Sequence, residues 1–401
     1  MKRGNLLWAL GLGVCAVAAV LILGGCGPRP VLSDVDVSPS LITPNADRSQ
    51  DVTRIAYRLA GSADLSIYLV DGQGNRHYFR KEQRRSAGRY AVDFGGVVDG
   101  RVLPDGNYQV VVEAVGEGGR TQAASKPLSV KDADTTPPEL QNFSVYPQEF
   151  TPNQDGYADR ITVSYYLSKP AEAKVFLVNP DGSRFPLAEK EGAVKPGQVG
   201  THIYDYDAGV DQGATPPPDG TYEIRAEAQD LAGNFTVVTS TLTIAEGGVP
   251  RVDIIQAAVE FYPKVVPIGQ VLAFTLTVEN IGSVPVRTTG PAPGTLYTGS
   301  QNFNTLGYPQ SPGAWRIGID FEDNSGGRSY PYRWALASDD QLTIIGDRKY
   351  LMPGQRATVT GFIRITERPP RNPPHYWAGL IHEGVRILLD HVDAQTIDIA
   401  Y

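Results

Sequence analysis

The 401-residue sequence predicts an all-β protein built from tandem β-sandwich domains. Short runs in which apolar and polar residues alternate, such as 54–59 and 108–114, indicate half-buried strands. Turn-forming sequences, such as 71–75 and 179–183, lie between such runs. No long segment after residue 26 has the 3.6-residue period of a helix. Many short strands separated by regularly spaced turns are typical of a β-sandwich.

Two motifs show that part of the chain is duplicated. Thr-Pro-Asn-x-Asp occurs at 43–47 and again at 151–155, an offset of 108 residues. Pro-Asp-Gly-x-Tyr occurs at 104–108 and again at 218–222, an offset of 114 residues. The second copy therefore carries six extra residues between the two motifs. A period of this length indicates duplicated domains and not the short units of a solenoid.

Shifts in composition mark two linkers. Residues 131–137 are polar and run into a proline pair, while residues 245–250 are rich in glycine and end in proline. Such segments are typical of short, stiff connections between domains. The sequence thus predicts a first domain at 31–130, a second domain at 138–244 and a third domain at 251–401.

Both copies resemble the Ig-like domain of flagellar hook-capping (FlgD-type) proteins, a module that is also common in bacterial surface proteins. The two motifs above carry the resemblance, together with Asp-Leu-Ala-Gly-Asn at 230–234 in the second copy. The family usually has a tryptophan before the middle turn, where this chain has Phe94 and Tyr206. The first copy also replaces the 230–234 sequence by Gly-Glu-Gly-Gly-Arg at 116–120. The resemblance implies an Ig-like sandwich for each copy but no activity.

The third domain resembles the Ig-like CARDB type of bacterial adhesion-related module. Val-Glu-Asn-Ile-Gly-Ser at 278–283 and Met-Pro-Gly-Gln at 352–355 carry this resemblance. Residues 288–335 are rich in glycine, proline and aromatic residues, so we expect long loops inserted into the sandwich. The clearest predicted strand, together with the turn that follows it, is 271–282, and the late strands are predicted at 361–365, 378–381 and 396–400.

The first 26 residues have the features of a secretion signal. A basic pair at 2–3 precedes an apolar run at 6–23, and two glycines precede Cys26. The pattern resembles a bacterial lipoprotein signal, which implies a signal peptide at 1–25, a lipid on Cys26 and a lipidated tether at 26–30 that holds the protein on a membrane. The alternative is an uncleaved transmembrane helix, because 18 apolar residues are just enough to span a bilayer.

Cysteine content and charge exclude some classes of protein. The chain has two cysteines, and the other one, Cys15, lies within the predicted signal, so one mature chain cannot form a disulfide. Loss of the two basic signal residues would change the formal net charge from −8 to −10. This acidic balance argues against nucleic-acid partners. We expect the mature protein to be a monomer. The predicted lipid would hold it on the extracellular or periplasmic side of a membrane.

A candidate calcium loop follows the second Thr-Pro motif. Asn153, Asp155 and Asp159 place oxygen-bearing side chains around Gly156, and calcium binds six to eight oxygens. Asp230 would join them if its turn lay at the same end of the sandwich. The alternative is a loop of Asx turns that binds no ion. The first copy has the same spacing without the glycine, at Asn45, Asp47 and Asp51.

Signals of catalysis are nearly absent from the sequence. Its five histidines have no ligand spacing, and the segment 382–386 fails the zinc-protease pattern because Arg386 stands where the second histidine is needed. The sequence has no nucleophile elbow or phosphate loop. Acidic pairs at 322–323 and 339–340 would serve a glycosidase only at a suitable separation. The sequence therefore predicts no enzyme and no cofactor other than calcium.

The aromatic residues of the third domain form a candidate binding patch. In loops, aromatic side chains can form a platform for a sugar, a peptide or a protein. The alternative is that they fill the core of a sandwich without disulfides. The candidate residues are Trp315, Tyr330, Tyr332, Trp334, Tyr376 and Trp377.

Two functional hypotheses follow. The first is a non-catalytic lipoprotein of the cell envelope, in which two Ig-like spacers present a third domain that binds a surface protein or a polysaccharide. The second is an exported enzyme, or an accessory subunit of one, that acts on envelope glycans or peptides through the loops at 288–335. The lack of a recognisable nucleophile, metal set or cofactor loop favours the first hypothesis.

Overall fold

The computed structural model describes residues 30–401. The predicted signal peptide at 1–25 and Cys26 lie outside these residues. Within them nearly all regular structure is β, which confirms the predicted fold class. The described part contains no helix that is long and apolar enough to cross a membrane. The described residues divide into two compact units between Thr135 and Thr136, and this division falls inside the predicted linker at 131–137.

The first domain is a two-sheet sandwich of short strands. In chain order they are β1 (Leu32–Ser38), β2 (Leu41–Ile42), β3 (Thr53–Leu59), β4 (Ala63–Val70), β5 (Arg76–Arg85), β6 (Gly88–Phe94), β7 (Val97–Val98), β8 (Arg101–Val102), β9 (Gly106–Gly116) and β10 (Thr121–Val130). One sheet has the order β1-β3-β6 and the other β2-β10-β9-β4-β5, while β7 and β8 form a small hairpin. Alternate residues of β3 and β9 are buried between the sheets, as the alternating sequence predicts.

The second domain repeats this arrangement. Its strands are β11 (Leu140–Tyr146), β12 (Glu149–Phe150), β13 (Ile161–Leu167), β14 (Glu172–Val178), β15 (Arg184–Pro186), β16 (Gly200–Tyr206), β17 (Gly220–Gln229) and β18 (Phe235–Ile244), with a 3₁₀ turn at Val210–Gln212. The sheets have the orders β11-β13-β16 and β12-β18-β17-β14-β15. Each strand thus takes the place of its counterpart in the first domain, so the duplicated sequence is a duplicated fold.

The Pro-Asp-Gly-x-Tyr motif has a structural role that explains its repetition. The hydroxyl of Tyr222 donates to the backbone carbonyl four residues earlier, at 2.6 Å. The carboxylate of Asp219 accepts hydrogen bonds from the backbone N–H groups of 246–247 at 2.9 and 3.0 Å. Tyr108 and Asp105 make the corresponding contacts in the first domain. The motif therefore fixes the turn before a late strand and the segment that leaves the domain.

The third domain contains four small sheets around the largest core. Its strands are β19 (Val252–Ile254), β20 (Glu260–Tyr262), β21 (Val265–Pro267), β22 (Val271–Asn280), β23 (Val286–Arg287), β24 (Leu296–Thr298), β25 (Trp315–Phe321), β26 (Tyr332–Ala335), β27 (Thr343–Ile345), β28 (Arg348–Leu351), β29 (Arg356–Arg364), β30 (His375–His382), β31 (Arg386–Thr396) and β32 (Asp398–Ala400), with 3₁₀ turns at Ile255–Ala257 and Asp339–Gln341. The two main sheets have the orders β19-β22-β29-β24, with β20 also paired to β22, and β26-β25-β30-β31.

The strands predicted in the third domain overlap β22, β29, β30 and β32, but the predicted loop region is only partly loop. Residues 288–335 include β24, β25 and β26, and β25 pairs with β30 in the middle of a sheet. Both faces of β25 are buried, so nearly all of its residues are buried. Its sequence therefore lacks the alternation of apolar and polar residues by which a half-buried strand is recognised.

Candidate functional site

The predicted calcium loop of the second domain is a series of Asx turns. The side-chain oxygen of Asn153 accepts the N–H of Asp155 at 3.0 Å. The Asp155 carboxylate accepts the N–H of Tyr157 at 2.9 Å. The Asp159 carboxylate accepts the N–H groups of Asn153 at 3.2 Å and Gly156 at 2.6 Å. These oxygens therefore hold the loop in shape.

The first domain has the same loop without the glycine. Asp51 accepts backbone N–H groups of residues 45, 46 and 48, while Asn45 and Asp47 each accept the N–H two residues later. After the shared Thr-Pro, two loop sequences that have only the Asn and Asp positions in common thus form similar hydrogen bonds. The same spacing of side-chain oxygens that is typical of a calcium-binding loop is also required by a loop whose Asn and Asp side chains accept its own backbone N–H groups.

Asp230 does not join this loop. Strand β17 begins at Gly220, which pairs with Ile244 beside the loop, and it is ten residues long and ends at Gln229. At about 3.3 Å per residue, Asp230 is on the order of 30 Å away, at the opposite end of the sandwich. Burial opposes its ionisation, but hydrogen bonds from Lys169 and the turn it closes outweigh burial and keep the pKa of Asp230 below its usual value.

The structure therefore does not assemble the predicted set of four calcium ligands. No three acidic, histidine or cysteine side chains among residues 30–401 are grouped so that they could hold a metal ion. Burial raises the pKa of the Asp159 carboxyl to about 6, although the N–H of Gly156 opposes that rise. Calcium binding by Asn153, Asp155 and Asp159 alone stays a prediction.

The same loop makes hydrogen bonds to the third domain. The Arg287 guanidinium donates to the carbonyl of Asp155 at 2.5 Å, and the Tyr350 hydroxyl donates to its carboxylate at 2.6 Å. His382 Nε2 lies 2.9 Å from the carbonyl of Gln154. Burial lowers the pKa of His382 to about 4, so the ring is neutral at pH 7 and Nε2 carries the donated proton. The loop thus docks the second domain on the third.

Close packing surrounds these hydrogen bonds. The guanidinium carbons of Arg287 and Arg348 lie 5.0 and 3.1 Å from the centre of the Tyr157 ring, within cation–π range. Gly156 has a φ of +92°, and a Cβ atom built on it would lie 2.2 Å from the carbonyl oxygen of Pro312. The glycine that suggested a calcium loop is therefore required by the approach of the third domain.

We expect Gly156→Ala to uncouple these two domains. Gly182→Ala is the matched control, because Gly182 has a φ of +84° in the same domain but no atom within 4 Å of a built Cβ. Both variants bear the cost of a left-handed alanine, about 1–2 kcal/mol, and only Gly156→Ala adds overpacking of about 1–3 kcal/mol. Calorimetry should show separate transitions, and proteolysis at 245–250 should accelerate, for Gly156→Ala alone. Equal behaviour of the two variants would contradict this role.

The predicted aromatic patch is mostly core. Five of its six side chains are between 0% and 6% exposed and pack in the third domain; they are Trp315, Tyr330, Tyr332, Trp334 and Tyr376. Trp377 is half-buried, and its ring stacks on His391 with centroids 4.3 Å apart. The interpretation of these residues as a surface platform is therefore corrected for the first five. The loops at 299–314 and 322–331 lie against β25 and β26, and we call them the covering loops. The sequence does not show that they pack over these strands.

A buried ionic cluster lies between these covering loops and the sheet. Arg316 on β25 and Arg333 on β26 both contact one oxygen of Glu383, at 3.3 and 2.7 Å. Glu383 is 1% exposed, and its other carboxylate oxygen has no hydrogen-bond partner. Burial lowers the pKa of Arg316 below its usual value. Two buried guanidinium groups thus share one carboxylate, which leaves a positive charge uncompensated.

The two arginines also hold the covering loops. Arg316 donates to the carbonyls of residues 289, 308 and 309, and Arg333 donates to those of residues 329 and 330. The ring of Phe303 lies under Arg333 at 4.1 Å and within 6 Å of two further guanidinium groups. This arrangement satisfies most of the guanidinium donors and excludes water from the base of the cluster.

An open cleft of about 740 Å³ lies directly beside the cluster, and Arg333 and Glu383 form part of its wall. Arg328 and Arg386 also line it, and both are exposed. Neither of their side chains has an ion-pair partner among the described residues. The cleft lining contains one acidic residue, Glu383. Such a volume is typical of a site for a small ligand or for part of a polymer.

The sequence contains a signal for this cluster that motif searching misses. Arg316 stands between Trp315 and Ile317, and Arg333 between Tyr332 and Trp334. A single charged residue inside a short apolar run is rarely buried without a partner. Which acid supplies that partner depends on the pairing of β25 with β30, and this pairing is not readable from the sequence.

A smaller cleft of about 470 Å³ adjoins the first across residues 327–329. Asp320, Glu322 and Trp377 line it. The Glu322 carboxylate is bound by a neighbouring arginine and by His375, whose side-chain hydrogen bond is the largest cause of its lowered pKa. Asp320 accepts backbone N–H groups, including that of Tyr330 at 2.7 Å. Both carboxylates therefore have hydrogen-bond partners within the domain, whereas Arg328 and Arg386 of the larger cleft are exposed and have no ion-pair partner among the described residues.

Comparison with solved structures finds other tandem β-domain proteins. The fibronectin(III)-like modules of Clostridium thermocellum CbhA match at 12% identity and a TM-score of 0.21, over 53% of this chain and 92% of that chain. A tetra-tandem repeat from the extending region of a large adhesion protein matches at 13% identity and a TM-score of 0.19, over 91% and 74%. A Ca²⁺-stabilized adhesin with which an Antarctic bacterium binds ice matches at 11% identity and a TM-score of 0.25, over 92% and 73%.

These similarities are too remote to carry an argument about function. No protein-family model matches the chain, and no curated protein matches it. The chain is thus similar to Ig-like, fibronectin-like and adhesin repeat domains in its fold class only. The finer resemblances to FlgD-type and CARDB-type modules and to lipoprotein signals stay predictions.

Proposed function

We propose that this protein is a non-catalytic lipoprotein of the bacterial cell envelope. A lipid on Cys26 holds it on a membrane, facing the extracellular or periplasmic side. The first two domains serve as FlgD-type Ig-like spacers. The third, CARDB-type domain binds a surface protein or polymer through the cleft beside Glu383. The protein acts as a monomer and has no nucleic-acid partner.

The observation that carries the proposal is the cleft itself. Arg333 in its wall and Arg316 behind it are held by five backbone carbonyls. Two exposed arginines of the lining, Arg328 and Arg386, have no ion-pair partner among the described residues. Side chains held rigidly at the base of a cleft, with charged side chains exposed at its rim, are suited to binding a ligand. Nothing along its lining pairs a nucleophile with a base, so the described side chains support binding better than turnover.

The anchor is tested by metabolic labelling with palmitate. We expect the full chain to take up label and Cys26→Ala to lose it, because the acyl chains attach at that residue. Cys15→Ala is the matched control and should be labelled like the original chain, since Cys15 lies in the apolar run of the signal. Label that persists in Cys26→Ala, or that never appears, would contradict the lipoprotein assignment.

The binding function is tested with the full chain in detergent and isolated envelope material. We expect retention of the chain on envelope polymers or envelope proteins, and no release of products from either. Failure to bind any envelope fraction would remove the proposed function. Turnover of envelope glycans or peptides would replace it with the enzyme hypothesis.

A further inference from the structure

The cleft beside Glu383 is strongly basic although the whole chain is acidic. Arg328, Arg333 and Arg386 line it and Arg316 lies behind it, whereas Glu383 is the one acid in its wall. The chain as a whole has a formal net charge of −8. In the adjoining smaller cleft, Asp320 accepts backbone N–H groups and Glu322 is bound by Arg371 and His375. Arg328 and Arg386 are exposed in the lining and have no ion-pair partner among residues 30–401. The electrostatics favour an anionic group at this place.

The cleft also offers groups that an anion alone would not satisfy. Asn304, Gln310 and Ser329 add exposed uncharged polar groups to the lining. A matching ligand therefore carries both an acidic group and hydroxyl groups.

We propose that the cleft binds an acidic saccharide through carboxylate or phosphate groups on its sugar residues. This inference rests on the proposed function, because it names the class of polymer that the third domain would bind. Arg328 and Arg386 contact the anionic groups at the rim. Sugar hydroxyl groups form hydrogen bonds with the exposed uncharged polar residues of the lining.

An acidic peptide fits the cleft less well. The sheet beside the cleft has two edge strands, β26 and β31. Backbone groups of β26 already bond to Tyr297 and Pro291, so a peptide that added a strand would pair with β31. That edge is irregular, because the pairing of β30 with β31 shifts register three times, and His391 and Asp393 have left-handed backbone angles of +52° and +48°. Such irregularities are typical of edges that do not accept further strands.

The test measures binding of the full chain in detergent to polygalacturonate, an acidic saccharide polymer. Its fully methyl-esterified form is the uncharged control ligand, and polyglutamate represents acidic peptides. The test variant is Arg328→Gln with Arg386→Gln. The control variant is Arg364→Gln with Arg368→Gln, which removes the same charge from exposed positions of the third domain outside the cleft. Thermal melting of both variants checks that they fold.

We expect salt-sensitive binding of polygalacturonate, no binding of its ester, and weaker binding of polyglutamate. The cleft variant should lose about tenfold or more in affinity, equivalent to about 1.4 kcal/mol, while the control stays within about twofold. Equal loss in both variants, or tighter binding of polyglutamate, would overturn the saccharide proposal. If envelope material binds the original chain but not the cleft variant, while polygalacturonate binds neither, the proposed function survives and this inference fails. If envelope material binds the cleft variant as well as the original chain, both fail, because both place binding in the cleft.

Discussion

Replacing Glu383 by glutamine is expected to destabilise the third domain by about 3–5 kcal/mol. The change is nearly isosteric, but it removes the carboxylate that Arg316 and Arg333 share at 3.3 and 2.7 Å. Both guanidinium groups would then be buried without a counter-charge. Their backbone hydrogen bonds would persist, so the loss would come from electrostatics and not from packing.

Chemical unfolding followed by tryptophan fluorescence would measure this effect, because three of the four tryptophans lie in the third domain. Glu260→Gln is the control, since Glu260 is exposed on β20 of the same domain. Adding Arg316→Met to Glu383→Gln should recover part of the lost stability, because it removes one of the two uncompensated charges. Equal stability of Glu383→Gln and Glu260→Gln would show that the cluster contributes little.

Trp334→Ala is expected to cost about 3–5 kcal/mol, because it opens a large cavity in the core. Trp334 is fully buried, with its ring 4.7 Å from that of Phe274 and 4.9 Å from that of Tyr297. Its indole N–H donates to the carbonyl of Thr295 at 3.1 Å. A Cβ on Gly361 would lie 2.4 Å from the indole, so the opposite strand is also fitted to this ring.

The matched control is Trp377→Ala, because Trp377 is half-buried in the same sheet and stacks on one side only with His391. Its loss should cost clearly less in a denaturant titration. Binding by the Trp334→Ala variant should fall only in proportion to its folded fraction. A selective loss of binding with unchanged stability would instead restore the idea of an aromatic platform.

The repeat motifs illustrate what the sequence could predict. Thr-Pro-Asn-x-Asp and Pro-Asp-Gly-x-Tyr predicted two related sandwiches because their side chains bond to backbone groups a few residues away. Alternation predicted strands such as β22, where one face is buried and the other is not. These features depend on local chemistry, so they are visible in a short stretch of sequence.

The candidate site depended on distant residues and was mostly missed. For aromatic residues such as Trp315 the sequence leaves both a surface patch and a core position open, because their burial depends on loops that pack over them in the folded domain. In the sequence, Glu383 stands out only within the segment 382–386, which does not match the zinc-protease pattern. It contacts Arg316 and Arg333 because β25 pairs with β26 and β30. Asp230 was grouped with the loop at 151–159 because the sequence does not show that a ten-residue strand separates them.

The sequence by itself determined the all-β class, the duplication and the local shape of the Asp-rich loops, because each follows from contacts over a few residues. The tertiary structure decided what those features are used for. Gly156 marks a domain contact because the carbonyl oxygen of Pro312 lies where its side chain would be. The basic cleft exists because strand pairing brings two buried arginines to one glutamate, and long-range pairing of this kind is not encoded in any single segment.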